Sequence, residues 1–173
     1  GNLGNCTDFQ PVLADNEAMF SEITAALNSV NPQQHLDNTI WNSMTYTGTT
    51  RRMVTQLVAH AQEVGGFADG WDYFTLYMIM AREFKTLIGQ DEPTFVANKH
   101  LYGFGNYSLA EAKDIVSTEA KRASWALIAY SVITGHDQRD YFTMLGFKYD
   151  AKSAAQVAAL NLPMAPQQFY AFG

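Results

Sequence analysis

Between Trp71 and Ile88 the chain carries Phe74, Leu76, Tyr77, Met78, Ile79 and Met80, and no charge interrupts it from Asp72 to Arg82. A segment apolar on nearly every side of a 3.6-residue repeat is the pattern of a helix enclosed by others. It predicts a central apolar helix over 71–88, turning polar at Arg82, Glu83 and Lys85, around which the remaining segments assemble. Its longest nearly unbroken apolar stretch, residues 74–81, is far shorter than the ~20 residues of a membrane span, so no transmembrane helix is expected.

The flanking segments repeat the helical period. Met19, Phe20, Ile23, Leu27 and Val30 predict a first helix over 15–30, capped by Asp15 and closed before Pro32, after a flexible segment 1–14. Residues 31–48 read as a loop. A second helix begins after Thr49 or Thr50, presents Met53, Leu57, Ala61 and Val64, and stops at Gly65-Gly66. Asp69 can cap the helix over 71–88, and Gly89, Pro93, Gly103 and Gly105 make 89–107 an irregular loop, long enough to suggest a functional one. Ser108-Leu109-Ala110-Glu111 fits a capping box and opens a helix running to Gly135, about 40 Å long. Asp137 and Asp150 can cap two further helices, the last ended by Pro163, and Phe169, Tyr170 and Phe172 make 163–173 an aromatic tail suited to lying in a groove. No strand of period two is evident. Residues 1–173 therefore predict one all-α domain, a bundle of about six helices.

The surface excludes some partners. A net charge of −6, with Arg51 and Arg52 the only adjacent arginines and no run of three basic residues, repels phosphate backbones, so no nucleic-acid partner is expected. Charged residues are 16% of the chain, few for a helical protein, and amides, hydroxyls and Tyr stand in their place. This favours an extracytoplasmic protein (secreted, periplasmic or lipoprotein) or a subunit covered by partners. A start at Gly1 without Met is consistent with loss of a signal peptide. Leu3-Gly4-Asn5-Cys6 resembles a bacterial lipoprotein cleavage site, which would put a lipid anchor on Cys6; the plain alternative is a small thiol in a flexible terminus.

Few residues suggest chemistry. His60 and Glu63, three apart on one helix, have a spacing used in metal-binding bundles, but no second carboxylate-rich motif accompanies them, so neither metal nor cofactor is expected. His35 and His136 are isolated. Glu83 lies where the apolar helix turns polar; a partly desolvated carboxyl there would hold its proton and act as a general acid, with Asp91 and Glu92 following. Its alternative is a surface ion pair with Arg82, Lys85 or Arg122. In 100–107, His100, Tyr102, Phe104 and Tyr107 crowd around Gly103 and Gly105 and form a candidate ligand- or partner-binding group, together with Phe169, Tyr170 and Phe172.

Two resemblances arise at these residues. Glu83, the acidic pair, Leu101-Tyr102-Gly103-Phe104-Gly105 and Ser108-Leu109-Ala110-Glu111-Ala112 resemble in order the phage-type muramidases of the lysozyme superfamily, where a catalytic Glu precedes a glycine-rich hairpin and a capped helix. That resemblance implies a peptidoglycan-cleaving glycosidase, with Glu83 as acid and Asp91 or Glu92 as its partner. Residues 100–107 are also similar to the active-site helix of prokaryotic secreted phospholipases A2, which would make His100 a base, though Leu101 stands where that family has its calcium-binding Asp. The leading reading is non-enzymatic: a helical domain that binds a protein partner, a second copy of itself or a hydrophobic small molecule, with seven Met residues able to repack against it. The glycosidase is the alternative.

Overall fold

The computed structural model describes residues 49–118 and 121–170, and the expected helix over 15–30, the loop 31–48, Cys6, His35 and Phe172 lie outside them. The chain divides into two compact units, Gly1–Leu57 with Gln168–Gly173, and Val58–Gln167. The described residues form seven α-helices and one 3-10 turn, and none is in a named strand. The all-α class is as expected.

Helix α1, Thr49–Val64, ends where the sequence places its stop: the Gly65 amide donates to the Ala61 carbonyl at 2.8 Å, and Gly66 takes a left-handed φ of 69°. Gly70 then passes so close to α1 that a Cβ on it would lie 2.1 Å from the Val58 carbonyl oxygen, which fixes the entry to α2, Asp72–Leu87. Asp69 assists without being the cap residue, accepting from the Trp71 amide at 2.9 Å.

The enclosed helix is not α2. Tyr73, Met80, Phe84 and Leu87 form its buried face, whereas Trp71 and Met78 are 52% and 58% exposed and Phe74 and Leu76 are exposed as well. The enclosed element is α5, Arg122–Thr134, where Leu127, Ile128, Ala129, Tyr130 and Ser131 are all buried. It packs against α2, α4 and α7. The run of large apolar residues misled the reading of α2, which carries four charged residues, whereas α5 carries one, Arg122, and is apolar on nearly every side, the pattern of an enclosed helix.

Two other expectations are corrected. Residues 89–107 are not an irregular loop but contain α3, Glu92–Asn98, and a 3-10 turn, Lys99–Tyr102. Asp91 caps α3 by accepting from the Thr94 amide at 2.9 Å, and Pro93 sits in the first turn, where its missing N–H costs nothing. The turn closes at Gly103, φ 78°, whose absent Cβ would lie 2.4 Å from Val132 Cγ2 on α5. The helix expected to run from 108 to 135 is likewise two, α4, Leu109–Ile115, and α5. Val116 ends α4, and the Ser117 hydroxyl turns back onto the Asp114 carbonyl at 2.7 Å, an alternative to the next helical bond.

The remaining boundaries follow the sequence. Ser108 and Glu111 form the expected capping box, and Gly135 closes α5 with φ 66°. Helix α6 is Arg139–Met144, with Asp137 accepting from the Arg139 amide and ion-paired to its guanidinium. Helix α7 is Ala151–Ala159, capped by Asp150 through the Ser153 amide at 2.7 Å. After it the chain runs extended, and Asp137 exchanges backbone hydrogen bonds with Pro163 and Ala165.

Candidate functional site

Glu83 lies on α2, one turn before its end, and is exposed, so the desolvated carboxyl expected there is not formed. Neither does it make an ion pair with a described residue. Its neighbour is Tyr102, whose hydroxyl donates to Glu83 Oε2 at a long 3.4 Å; burial and the carboxylate push that phenol above its ordinary pKa. The two side chains line an open groove of about 370 Å³, shared with Arg82, Thr86, Gln90 and Asn98. Asp91 and Glu92 are not among its lining residues. Asp91 is engaged as the cap of α3, and hydrogen bonding from Thr94 holds its pKa below the ordinary value. The acidic residues thus do not face Glu83 across this groove.

The segment 100–107 divides by burial. His100 and Leu101 are exposed and Tyr102 is half-buried, but Phe104 and Tyr107 belong to the core. The Phe104 ring packs on Phe84 at 4.3 Å and on Tyr107 at 5.1 Å, and the Tyr107 hydroxyl is hydrogen-bonded to Ser153 at 2.9 Å. No glycine-rich hairpin follows Glu83. Phe104 and Tyr107 therefore leave the candidate ligand-binding group, and the octapeptide's composition is explained by packing of a 3-10 turn against α2 and α5.

His60 and Glu63, expected to share a face, are separated. Glu63 is exposed, whereas His60 is buried and stacked on Tyr141 at 3.8 Å and 11°. Burial lowers the pKa of the imidazole to about 4, so it is neutral at physiological pH. Among the described residues no three His, Cys, Asp or Glu side chains are grouped to hold a metal ion. His136 stands at the C-terminal end of α5, its Nδ1 2.9 Å from the Thr134 carbonyl.

In the aromatic tail, Phe169 and Tyr170 are half-buried. The Gln56 amide donates through Nε2 to the Tyr170 carbonyl and accepts at Oε1 from the Tyr170 amide, both at 2.8 Å. This part of the tail is thus held by its own chain.

The sequence reading passed over a second recess because its residues come from three separate elements. Tyr77, Ala81, Phe84, Lys85 and Ile88 of α2, Ile115 and Val116 at the end of α4, and Arg122 and Trp125 of α5 enclose about 390 Å³. Aromatic rings build its wall: Trp125 meets Tyr77 edge-on at 5.0 Å and lies 6.0 Å from Phe84. Lys85 and Arg122, both exposed, bring positive charge to it. Burial pushes the Tyr77 phenol up to about 12, which keeps it a donor. The recess continues outward along α2. Trp71, Phe74 and Met78 recur at spacings of three and four, their stripe meets Tyr77 and Ala81, and Phe74 and Tyr77 are 6.3 Å apart.

Neither a family model nor a curated protein matches the sequence. Two solved structures are similar in fold. An IMPa metallopeptidase in complex with T-antigen superposes with a TM-score of 0.73 at 24% identity, over 91% of this chain and 18% of that one. The IMPa metallopeptidase from Pseudomonas aeruginosa gives 0.71 at 23%, over the same shares. This chain spans 18% of the length of those metallopeptidases, and the likeness is one of fold.

Proposed function

We propose that this chain is a non-catalytic helical module of a larger extracytoplasmic protein, and that it acts by binding through the apolar face of α2. The observation that carries the reading is the exposed stripe of Trp71, Phe74 and Met78 leading into the recess beside Trp125. Large contiguous apolar surface is uncommon on a folded domain unless something covers it. The likeness to 18% of a metallopeptidase chain supports a module. So does the sequence, in which no His-Glu-x-x-His occurs, the spacing that sets two zinc ligands on one helical face.

The test compares the protein with a Trp71→Ser/Phe74→Ser/Met78→Ser variant by native mass spectrometry and by binding of an environment-sensitive apolar dye. The unsubstituted protein should carry a ligand, self-associate or bind the dye, and the variant should lose that property with its helical circular dichroism intact. A ligand-free, dye-silent monomer would overturn the reading.

A second reading concerns the groove of Glu83 and Tyr102. Its lining of carboxylate, guanidinium and amides beside a phenol ring can hydrogen-bond a polyhydroxylated ligand, and one of the similar structures holds T-antigen. Binding of a sugar there should be lost in Tyr102→Ala. The peptidoglycan-cleaving alternative has less support, since Glu83 is exposed and Asp91 is occupied as a cap; clearing of a cell-wall suspension that is abolished by Glu83→Gln would restore it.

A further inference from the structure

The recess between α2, α4 and α5 has a composition that selects a ligand, and we infer that it binds an anionic amphiphile, an aliphatic chain ending in a carboxylate. This deepens the binding reading above and rests on it. Its wall of Tyr77, Phe84, Ile88, Ile115 and Trp125 gives an alkyl chain apolar contact on several sides, and about 390 Å³ lies towards the lower end of the range for small-ligand sites, roughly 300–1,000 Å³. The head group is specified by charge. In a protein of net charge −6, the two charged side chains among the described residues of this lining are both cations, Lys85 and Arg122.

Their placement differs in kind. Lys85 is in the last turn of α2 and makes no ion pair with a described residue, so a ligand carboxylate would give its ammonium a partner. Arg122 is the first residue of α5, a helix whose N-cap, Lys121, makes no side-chain capping bond. A carboxylate beside it meets both a guanidinium suited to bidentate hydrogen bonding and the positive end of the helix dipole. Trp125, 6% exposed, adds a large indole ring to the same wall.

Isothermal titration with dodecanoate, kept below micelle-forming concentration, tests the inference on the intact chain. Dodecanoate should bind with one site per chain and at least tenfold more tightly than dodecyltrimethylammonium. Lys85→Gln/Arg122→Gln should weaken dodecanoate about tenfold and narrow that difference. Val116→Trp, which places a bulky ring at the exposed rim of the recess, should weaken both amphiphiles. No binding of dodecanoate, equal binding of the two amphiphiles, or an unchanged affinity in the charge variant would each overturn the inference. Binding removed by Trp71→Ser/Phe74→Ser/Met78→Ser but untouched by Val116→Trp would place the ligand on the outer face, overturning the recess as its site while leaving the broader binding reading in force.

Discussion

The His60 imidazole, stacked on Tyr141 and withdrawn from solvent, ties stability to pH through its lowered pKa. Above about pH 6.5 the ring is neutral in both folded and unfolded chains, and the stabilisation is present. As pH falls from there towards 4, the unfolded chain takes up a proton that the folded one refuses, and stability is lost; below about 4 the loss levels off. A shift of this size corresponds to about 3 kcal/mol. Urea unfolding at pH 7 and pH 4.5 should therefore show a smaller acid-induced loss in His60→Phe than in the parent, by about 2–3 kcal/mol. Equal losses would remove His60 as the cause. The His60–Glu63 spacing was legible in the sequence, but its meaning was not. Residues three apart sit about 60° away from each other around a helix, enough to put one in the core and its neighbour in water.

At the scale of elements, legibility followed the chemistry of the ends. Ser108 and Asp150 cap as their sequences require, because a side-chain oxygen over unpaired amides is a local device that needs nothing from the rest of the fold. Replacing Ser108 by Ala should cost about 1 kcal/mol in thermal or urea unfolding, and Glu111, which also contacts Lys152, should lose its tie to the Ser108 hydroxyl. A change below a few tenths would show that the cap is redundant with packing. Helix α3 was missed because Pro93 reads as a breaker unless the two residues before it are recognised as a cap and a first turn. The break between α4 and α5 carries neither Pro nor Gly. Its signal is Val116-Ser117-Thr118, residues of modest helix propensity whose hydroxyls can compete with the backbone.

For the molecule as a whole, the all-α class was readable from periodicity, whereas the central helix, also legible in the nearly charge-free segment 122–134, was assigned to the wrong segment. The run of large apolar residues in α2 drew the reading, yet α5 is the more apolar helix, with Arg122 its one charged residue against Asp72, Arg82, Glu83 and Lys85 in α2, and it contributes Tyr130, Leu127 and Ile128 to the deepest side chains. The functional consequence is large. A stripe read as interior becomes the surface on which the binding proposal stands, while Phe104 and Tyr107, read as part of a candidate binding group, are buried in the core. Long-range order also rests on the clasp between Gln56 and Tyr170. Gln56→Ala should speed hydrogen exchange at the Tyr170 amide and open residues 168–170 to proteolysis, at a cost of roughly 1–3 kcal/mol. Unaltered exchange there would mean that the tail is held by other contacts.

That clasp joins residues 114 positions apart, and Gln56 is itself buried. During synthesis the Gln56 amide can meet its partner only after residue 170 has emerged, when the helices between them have already had time to form. Until then these two hydrogen bonds cannot form, and residues 168–170 stay undocked. Docking of residues 168–170 on α1 is therefore a late event, set by the closing of a long loop rather than by the growth of any helix.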